Sequence, residues 1–365
     1  MTHLKRFLAH VFTSIACLAI VGPSFFARPR SEGAALLDPA VEQAVAAERV
    51  YDAWAAEFLS GRESTWGVYL WSRRWMNAQS LMNRTTAKKL ATAQAHLDRM
   101  TALERETMPS VAVRRSGLQS YLAVEFYSAE AESFILRLEC DKRGDRAKVA
   151  ATKQLAAAIL MYDSWWQQLD LSKKASSLFN GLYWSARLLE AGDALAANKS
   201  GTKANADEFL QRAIEFEKFA ISFSGDPRYP EHFLHAARFY RLDAGILASN
   251  RMGDLRPNAG LAADALKERL KAAQEAYAAS WKGGTWFSDV EYTYQYSLWW
   301  RSAALALATT REERIAACAA HLSRMKDMER IVRKAYSEAR IGERSYFATK
   351  YYRAEAQVLL RQSNE

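Results

Sequence analysis

Proline and glycine are scarce. Seven prolines and 16 glycines in 365 residues leave too few chain reversals for a sandwich or barrel of many short strands. No stretch alternates apolar and polar residues between turn signals, so no strand is expected. Cysteine is scarcer still. Cys17, Cys140 and Cys318 are the only three and no CxxC occurs, which excludes a disulfide framework and a cysteine zinc site. An excess of one charge is also missing from most of the chain. The net charge is +9, but Lys5, Arg6, Arg28 and Arg30 lie in the first 30 residues, which hold no acid, leaving 46 basic against 41 acidic residues. Acids and bases interleave without a basic stripe or reader motif, so no nucleic-acid partner is expected. HExxH, GxSxG, the phosphate-binding P-loop and GxGxxG are all absent. The sequence thus offers no catalytic residue, no cofactor-binding residue and no metal ligand set.

Apolar side chains are plentiful: half the residues are hydrophobic, with 11 Trp, 16 Tyr and 16 Phe. With glycine and proline so rare, that content points to long helices around a large core. Residues 1–30 stand apart. Lys5-Arg6 precede the apolar run Phe7–Val21, a basic region followed by an apolar one, which predicts an export signal. Cleavage after Ala27 would put Phe25 where a small residue is expected, and Ser14-Ile-Ala-Cys17 loosely resembles a lipoprotein box. Phe7 to Ala27 is also long enough, at 21 residues, to span a bilayer, which needs about 20. The expectation is an exported protein, periplasmic or cell-envelope, whose only membrane contact is this segment; cleaved, lipidated and anchored forms stay open, and a buried first helix is the alternative.

The rest of the chain repeats. Tyr69-Leu-Trp-Ser72, His96-Leu-Asp-Arg-Met100 and Phe126-Tyr-Ser-Ala-Glu-Ala131 return as Tyr294-Gln-Tyr-Ser297, His321-Leu-Ser-Arg-Met325 and Tyr351-Tyr-Arg-Ala-Glu-Ala356. A degenerate middle copy reads Leu182-Tyr-Trp-Ser185, Phe209-Leu-Gln-Arg212 and Phe239-Tyr-Arg-Leu-Asp-Ala244. Serine to arginine is 27 residues in every copy, and arginine to tyrosine is 28. Constant spacing over long periods is the mark of a structural repeat. Each copy holds four helical patterns separated by turns, so the fold expected is all-α, about twelve helices in three tandem four-helix units. The boundaries expected are 1–30 for the leader, then 31–140, 141–256 and 257–365. Asp38-Pro39 suits a helix start, Thr310 and Glu313 form a possible capping box, and Gly225-Asp-Pro-Arg-Tyr-Pro230 is a strong turn. Either an open solenoid-like array or a closed toroid fits this pattern.

Five polar positions recur: Ser72/Ser185/Ser297, Arg99/Arg212/Arg324, Glu104/Glu217/Glu329, Tyr127/Tyr240/Tyr352 and Glu130/Asp243/Glu355. An active site is needed once, whereas a packing device is needed in every unit, so these are read as structural. In an antiparallel hairpin, residues equidistant from the turn lie side by side. That predicts braces between the third and fourth helices of each unit: Arg99 with Glu130, Arg212 with Asp243, and Arg324 with Glu355. His96 and His321 are repeat-equivalent and read as structural; His232 and His235 lie three apart without a third ligand. Cys318 aligns with Ala93 and Ala206, a small core position. Trp71, Trp75, Trp165, Trp184, Trp299 and Trp300 fall at helical spacing, where core packing is the ordinary role and a sugar-stacking platform the alternative.

Tyr69-Leu-Trp-Ser-Arg-Arg-Trp75, His96-Leu-Asp-Arg-Met100 and Tyr351-Tyr-Arg-Ala-Glu-Ala356 together resemble a helical module of uncharacterised exported proteins of planctomycete-type bacteria. The likeness covers the first and third copies well and the second loosely, and the third departs at Tyr296-Ser-Leu-Trp-Trp300. It implies a helical fold and export and supplies no activity. The function expected is a non-enzymatic envelope scaffold or interaction module with another envelope protein as partner. The alternative is a carbohydrate-active or glycan-binding protein on an (α/α)6-type toroid. A helical part of an efflux assembly is a weaker third reading, since it requires longer hairpins than these turns permit.

Overall fold

The computed structural model describes residues 38–365 apart from 62–63, 84, 113–117, 140–143, 173–174, 227–228, 252–258 and 283–289. The leader and Cys140 lie outside the described residues, and with them the export and anchor expectations. Twelve helices make up the described chain. In order they are α1 Pro39–Leu59, α2 Thr65–Met82, α3 Thr86–Ala112, α4 Leu118–Leu138, α5 Asp145–Ser172, α6 Ala175–Leu195, α7 Lys199–Ser222, α8 Glu231–Arg251, α9 Ala259–Lys282, α10 Val290–Leu307, α11 Arg311–Ser337 and α12 Glu343–Asn364.

Local chemistry explains several boundaries. Asp38 caps α1 by accepting from the Ala40 amide, with Pro39 at the first helical position, where its missing N–H is no loss. Thr310 and Glu313 form a reciprocal capping box on α11, and Asn198 caps α7. Gly61 and Gly225 adopt positive φ, 74° and 93°, just beyond helix ends, a conformation that only glycine enters without steric cost. Gly67 serves a different need: a Cβ there would stand 2.2 Å from the Trp54 ring. Absence of a side chain lets that indole lie flat between α1 and α2.

Each helix packs on its successor, and α12 packs on α1, so the array is a closed ring. Residues 38–365 form one compact unit in which the three copies merge. Side-chain contacts show which helices line the inside. Trp71 of α2 meets Tyr351 of α12 edge-on at 5.3 Å, and Tyr69 stacks on Tyr127 of α4 at 3.8 Å. Phe126 of α4 meets Trp184 of α6, Phe239 of α8 stacks on Trp299 of α10, and Tyr294 of α10 stacks on Tyr352 of α12. With the α6–α8 contact, the even-numbered helices form an inner ring and the odd-numbered ones an outer ring. The seam has its own core, in which Val50 of α1, Trp71 of α2 and Tyr351 of α12 are all buried. Arg353 of α12 reaches Glu42 of α1, Arg344 reaches Glu57, and Arg361 lies 3.4 Å from Asp38. Closure removes the exposed terminal faces that an open repeat array must cap.

Of the repeat-block tryptophans, Trp71, Trp165 and Trp184 are buried in the core, whereas Trp75, Trp299 and Trp300 are half-buried. Cys318 is buried as well, at the small-residue position expected. Among the described residues no helix is long and apolar enough to cross a membrane. Because Asp38–Glu365 is a compact unit by itself, deleting Met1–Arg30 is expected to leave the helical circular dichroism and cooperative melting intact. Loss of either would make the leader part of the fold.

Candidate functional site

The recurring serine and arginine do meet, but the arginine–carboxylate pairs expected from spacing are not formed. Arg99 Nε donates to Ser72 Oγ at 2.7 Å, Arg212 Nε to Ser185 Oγ at 3.0 Å, and Arg324 Nε to Ser297 Oγ at 2.7 Å. Glu130, Asp243 and Glu355 take other partners. The real brace between third and fourth helices uses the other recurring acid. Glu104 accepts from Ser128 at 2.9 Å, Glu217 pairs with Arg241, and Glu329 accepts from Arg353 at 2.6 Å. Equidistance from the turn was thus a sound guide to height along the hairpin and silent about rotation. Five residues separate Arg99 from Glu104, which turns one about 140° from the other on the helix. Arg99 faces the second helix and Glu104 the fourth.

Histidine completes the serine cluster in two copies. Ser72 Oγ and His96 Nδ1 are 2.8 Å apart, as are Ser297 Oγ and His321 Nδ1. Burial first, and then Arg99, lowers the His96 pKa to about 3; burial, Arg301 and Arg324 do the same at His321. Both rings are neutral at physiological pH; the serine oxygen accepts from arginine and shares a second hydrogen bond with Nδ1, whose direction follows the imidazole tautomer. This resembles part of a nucleophile relay. It occurs twice, both occurrences are buried, and repeat 2 has Phe209 in place of the histidine, so it is a packing device. His232 and His235 diverge. His232 is buried against the Tyr296 ring at 5.7 Å, whereas His235 Nδ1 lies 3.1 Å from Glu275.

Inside the ring, charge is matched. Glu130 takes the Tyr69 hydroxyl and lies 3.2 Å from Arg187 and 3.4 Å from Arg73. Burial alone would raise its pKa, but those two guanidinium groups outweigh it and hold the carboxyl below its ordinary range. Asp243 is paired with Arg269 at 2.7 Å. Glu291 accepts from both Arg74 nitrogens at 2.6 Å, from Tyr352 at 2.7 Å and from Gln295 at 2.7 Å. Glu355 alone of the three equivalent acids lacks an arginine, taking the Tyr294 and Tyr351 hydroxyls instead. Burial therefore keeps its pKa raised against those bonds.

The outer wall carries a cavity of about 720 Å³ in repeat 2, between α5 and α7 with α6 as its floor. Internal comparison explains it. In repeat 1, the Trp75 ring packs against both Tyr51, centroids 5.6 Å apart, and the Arg99 guanidinium at 4.4 Å, which itself lies 5.4 Å from the Tyr51 ring. Trp300 of repeat 3 likewise packs against both Tyr277, at 5.7 Å, and Arg324, at 3.9 Å, with Arg324 5.6 Å from the Tyr277 ring. Repeat 2 keeps the tyrosine and arginine, with Arg212 5.7 Å from the Tyr162 ring, but puts Leu188 where the indole would be. Gly192 stands where Gln79 and Ala304 stand elsewhere, which opens the floor further. Leu188, Gly192, Tyr162 and Arg212 all line the cavity, with Asp163, Glu208 and Glu215. This groove was missed in the sequence although its signal was present, as a leucine in a column of tryptophans. Neither a protein-family model nor a curated protein matches the chain.

Proposed function

We propose that the protein is a non-enzymatic binding protein of the cell envelope, a closed helical ring that offers the repeat-2 groove to another protein. The observation that carries this reading is the missing plug. Repeats 1 and 3 fill the Tyr–Arg slot with their own tryptophan, and repeat 2 leaves it open as a cavity of about 720 Å³. The leader and the resemblance to exported helical modules support the location. The test is a photo-crosslinking residue at exposed Gln211, on the groove wall, compared with the same residue at Asp98 in repeat 1. A discrete crosslinked protein at position 211 and none at 98 is the expected result. Crosslinking at neither position would overturn the reading.

The alternative, a carbohydrate-active toroid, gains support from ring closure and from one acid pair. Glu291 is held below the ordinary range because Arg74 outweighs its burial, while burial raises Glu355. Opposed shifts of this kind mark acid–base pairs. Against it, both Glu291 oxygens are taken up by Arg74, Tyr352 and Gln295, leaving no free lone-pair direction for a substrate.

A further inference from the structure

We propose that the repeat-2 groove takes a tryptophan side chain from the partner protein, packed against both Tyr162 and Arg212 as Trp75 and Trp300 pack against their tyrosine and arginine in the other copies. This rests on the groove being the partner site proposed above.

The slot is preformed. Arg212 Nε donates to Ser185 as Arg99 and Arg324 donate to Ser72 and Ser297; the second bond that those two make to the serine carbonyl is replaced by one to Glu208, so the guanidinium is anchored without an indole. Among the described residues it forms one ion pair, with Glu208 at 3.4 Å, and that carboxylate is 71% exposed. Tryptophan is the best ring for a guanidinium face. Trp166, where repeat 1 has Ala55, lies nearly parallel to Tyr162, with centroids 6.2 Å apart, and widens the aromatic wall. Asparagine and glutamine oxygens at Asn205 and Gln167 line the same cavity and can accept from an indole N–H.

Charge and rim say what carries the tryptophan. Asp163, Glu208 and Glu215 face a single arginine in the lining, so the groove is net acidic and suits a segment with basic residues beside the ring. Ile159 of α5 is 43% exposed in this wall, with Leu155 beside it, an apolar margin for neighbouring side chains. A protein segment supplies ring, positive charge and apolar neighbours together.

The experiment uses the full chain and two tripeptide probes with blocked termini, Lys-Trp-Lys and Glu-Trp-Glu, followed by calorimetric titration. Lys-Trp-Lys is expected to bind saturably, and at least about tenfold tighter than Glu-Trp-Glu at low salt. Leu188→Trp, which restores the plug of the other repeats, is expected to weaken Lys-Trp-Lys at least about tenfold while the melting temperature holds or rises. Gln211→Trp blocks the slot from the exposed wall and should do the same even if Leu188→Trp folds poorly. No saturable binding, or equal binding by both variants, overturns the proposal. So does binding of a β-glucan oligosaccharide without binding of Lys-Trp-Lys. A crosslinked partner at Gln211 with no tripeptide binding would overturn the tryptophan assignment and leave the partner-binding reading standing; failure of both would end both.

Discussion

Arg74→Ala is expected to destabilise the ring by about 3–5 kcal/mol, read as a lowered urea midpoint with little change in slope. Arg74 and Glu291 are 9% and 10% exposed and form a two-bonded pair across the inner ring, from α2 to α10. The guanidinium also lies 4.6 Å from the Trp71 ring and 5.0 Å from Tyr294. Truncation leaves Glu291 buried without its counter-ion, the change that desolvation makes expensive. Because Arg74 is what holds the Glu291 carboxyl below its ordinary range against burial, the variant should take up a proton there as it folds. A double Arg74→Met, Glu291→Met variant should recover much of the loss, since it strands no charge. Arg49→Ala is the surface control. Arg49 and Glu343 are 56% and 62% exposed at 3.9 Å, and such pairs contribute about 0–1 kcal/mol. Equal small losses for Arg74 and Arg49 would show that water reaches the inner pair.

Acid is expected to weaken the fold from about pH 6.5 downward, well above the ordinary carboxylate range, because three histidines are buried neutral. His96 and His321 are lowered to about 3 by burial and nearby arginines, and His232 to about 4 by burial and His235. A depressed folded pKa means the unfolded chain binds the proton first. Stability is therefore complete above the unfolded value of about 6.5 and drains away as pH falls toward the folded values, by up to about 1.4 kcal/mol per pH unit for each ring. Glu355 and Asp243, raised by burial, work in the opposite direction at the acid end. Glu130 and Glu291, lowered because their arginines outweigh burial, add to the loss below the ordinary carboxylate value. Repeat 2 shows the remedy, with Phe209 in place of the histidine. A His96→Phe, His321→Phe variant should recover about 5 kcal/mol of the loss between pH 6.5 and 4.5, measured by denaturant titration at each pH. An unchanged pH dependence would mean that the two rings are solvated in the folded state.

Sequence by itself determined the helices and their number. Scarce glycine and proline, caps at Asp38 and Thr310, and the constant 27-residue step from serine to arginine are local or periodic properties, written along the chain. The step even identified a true contact, Ser72 with Arg99, although the expectation attached that arginine to Glu130 instead. Rotation about the helix axis decided otherwise, and spacing along one helix does not show which neighbour stands opposite each face. Closure was beyond the sequence because it depends on summed small rotations between twelve helices, and it appears only when Arg353 reaches Glu42 across the whole chain. The groove lies between these cases. Leu188 in a column of tryptophans was visible from the start, but an absent ring becomes a site only if its two neighbours hold their places without it. The Ser185–Arg212 bond and the packing of Tyr162 do that, and those are tertiary contacts.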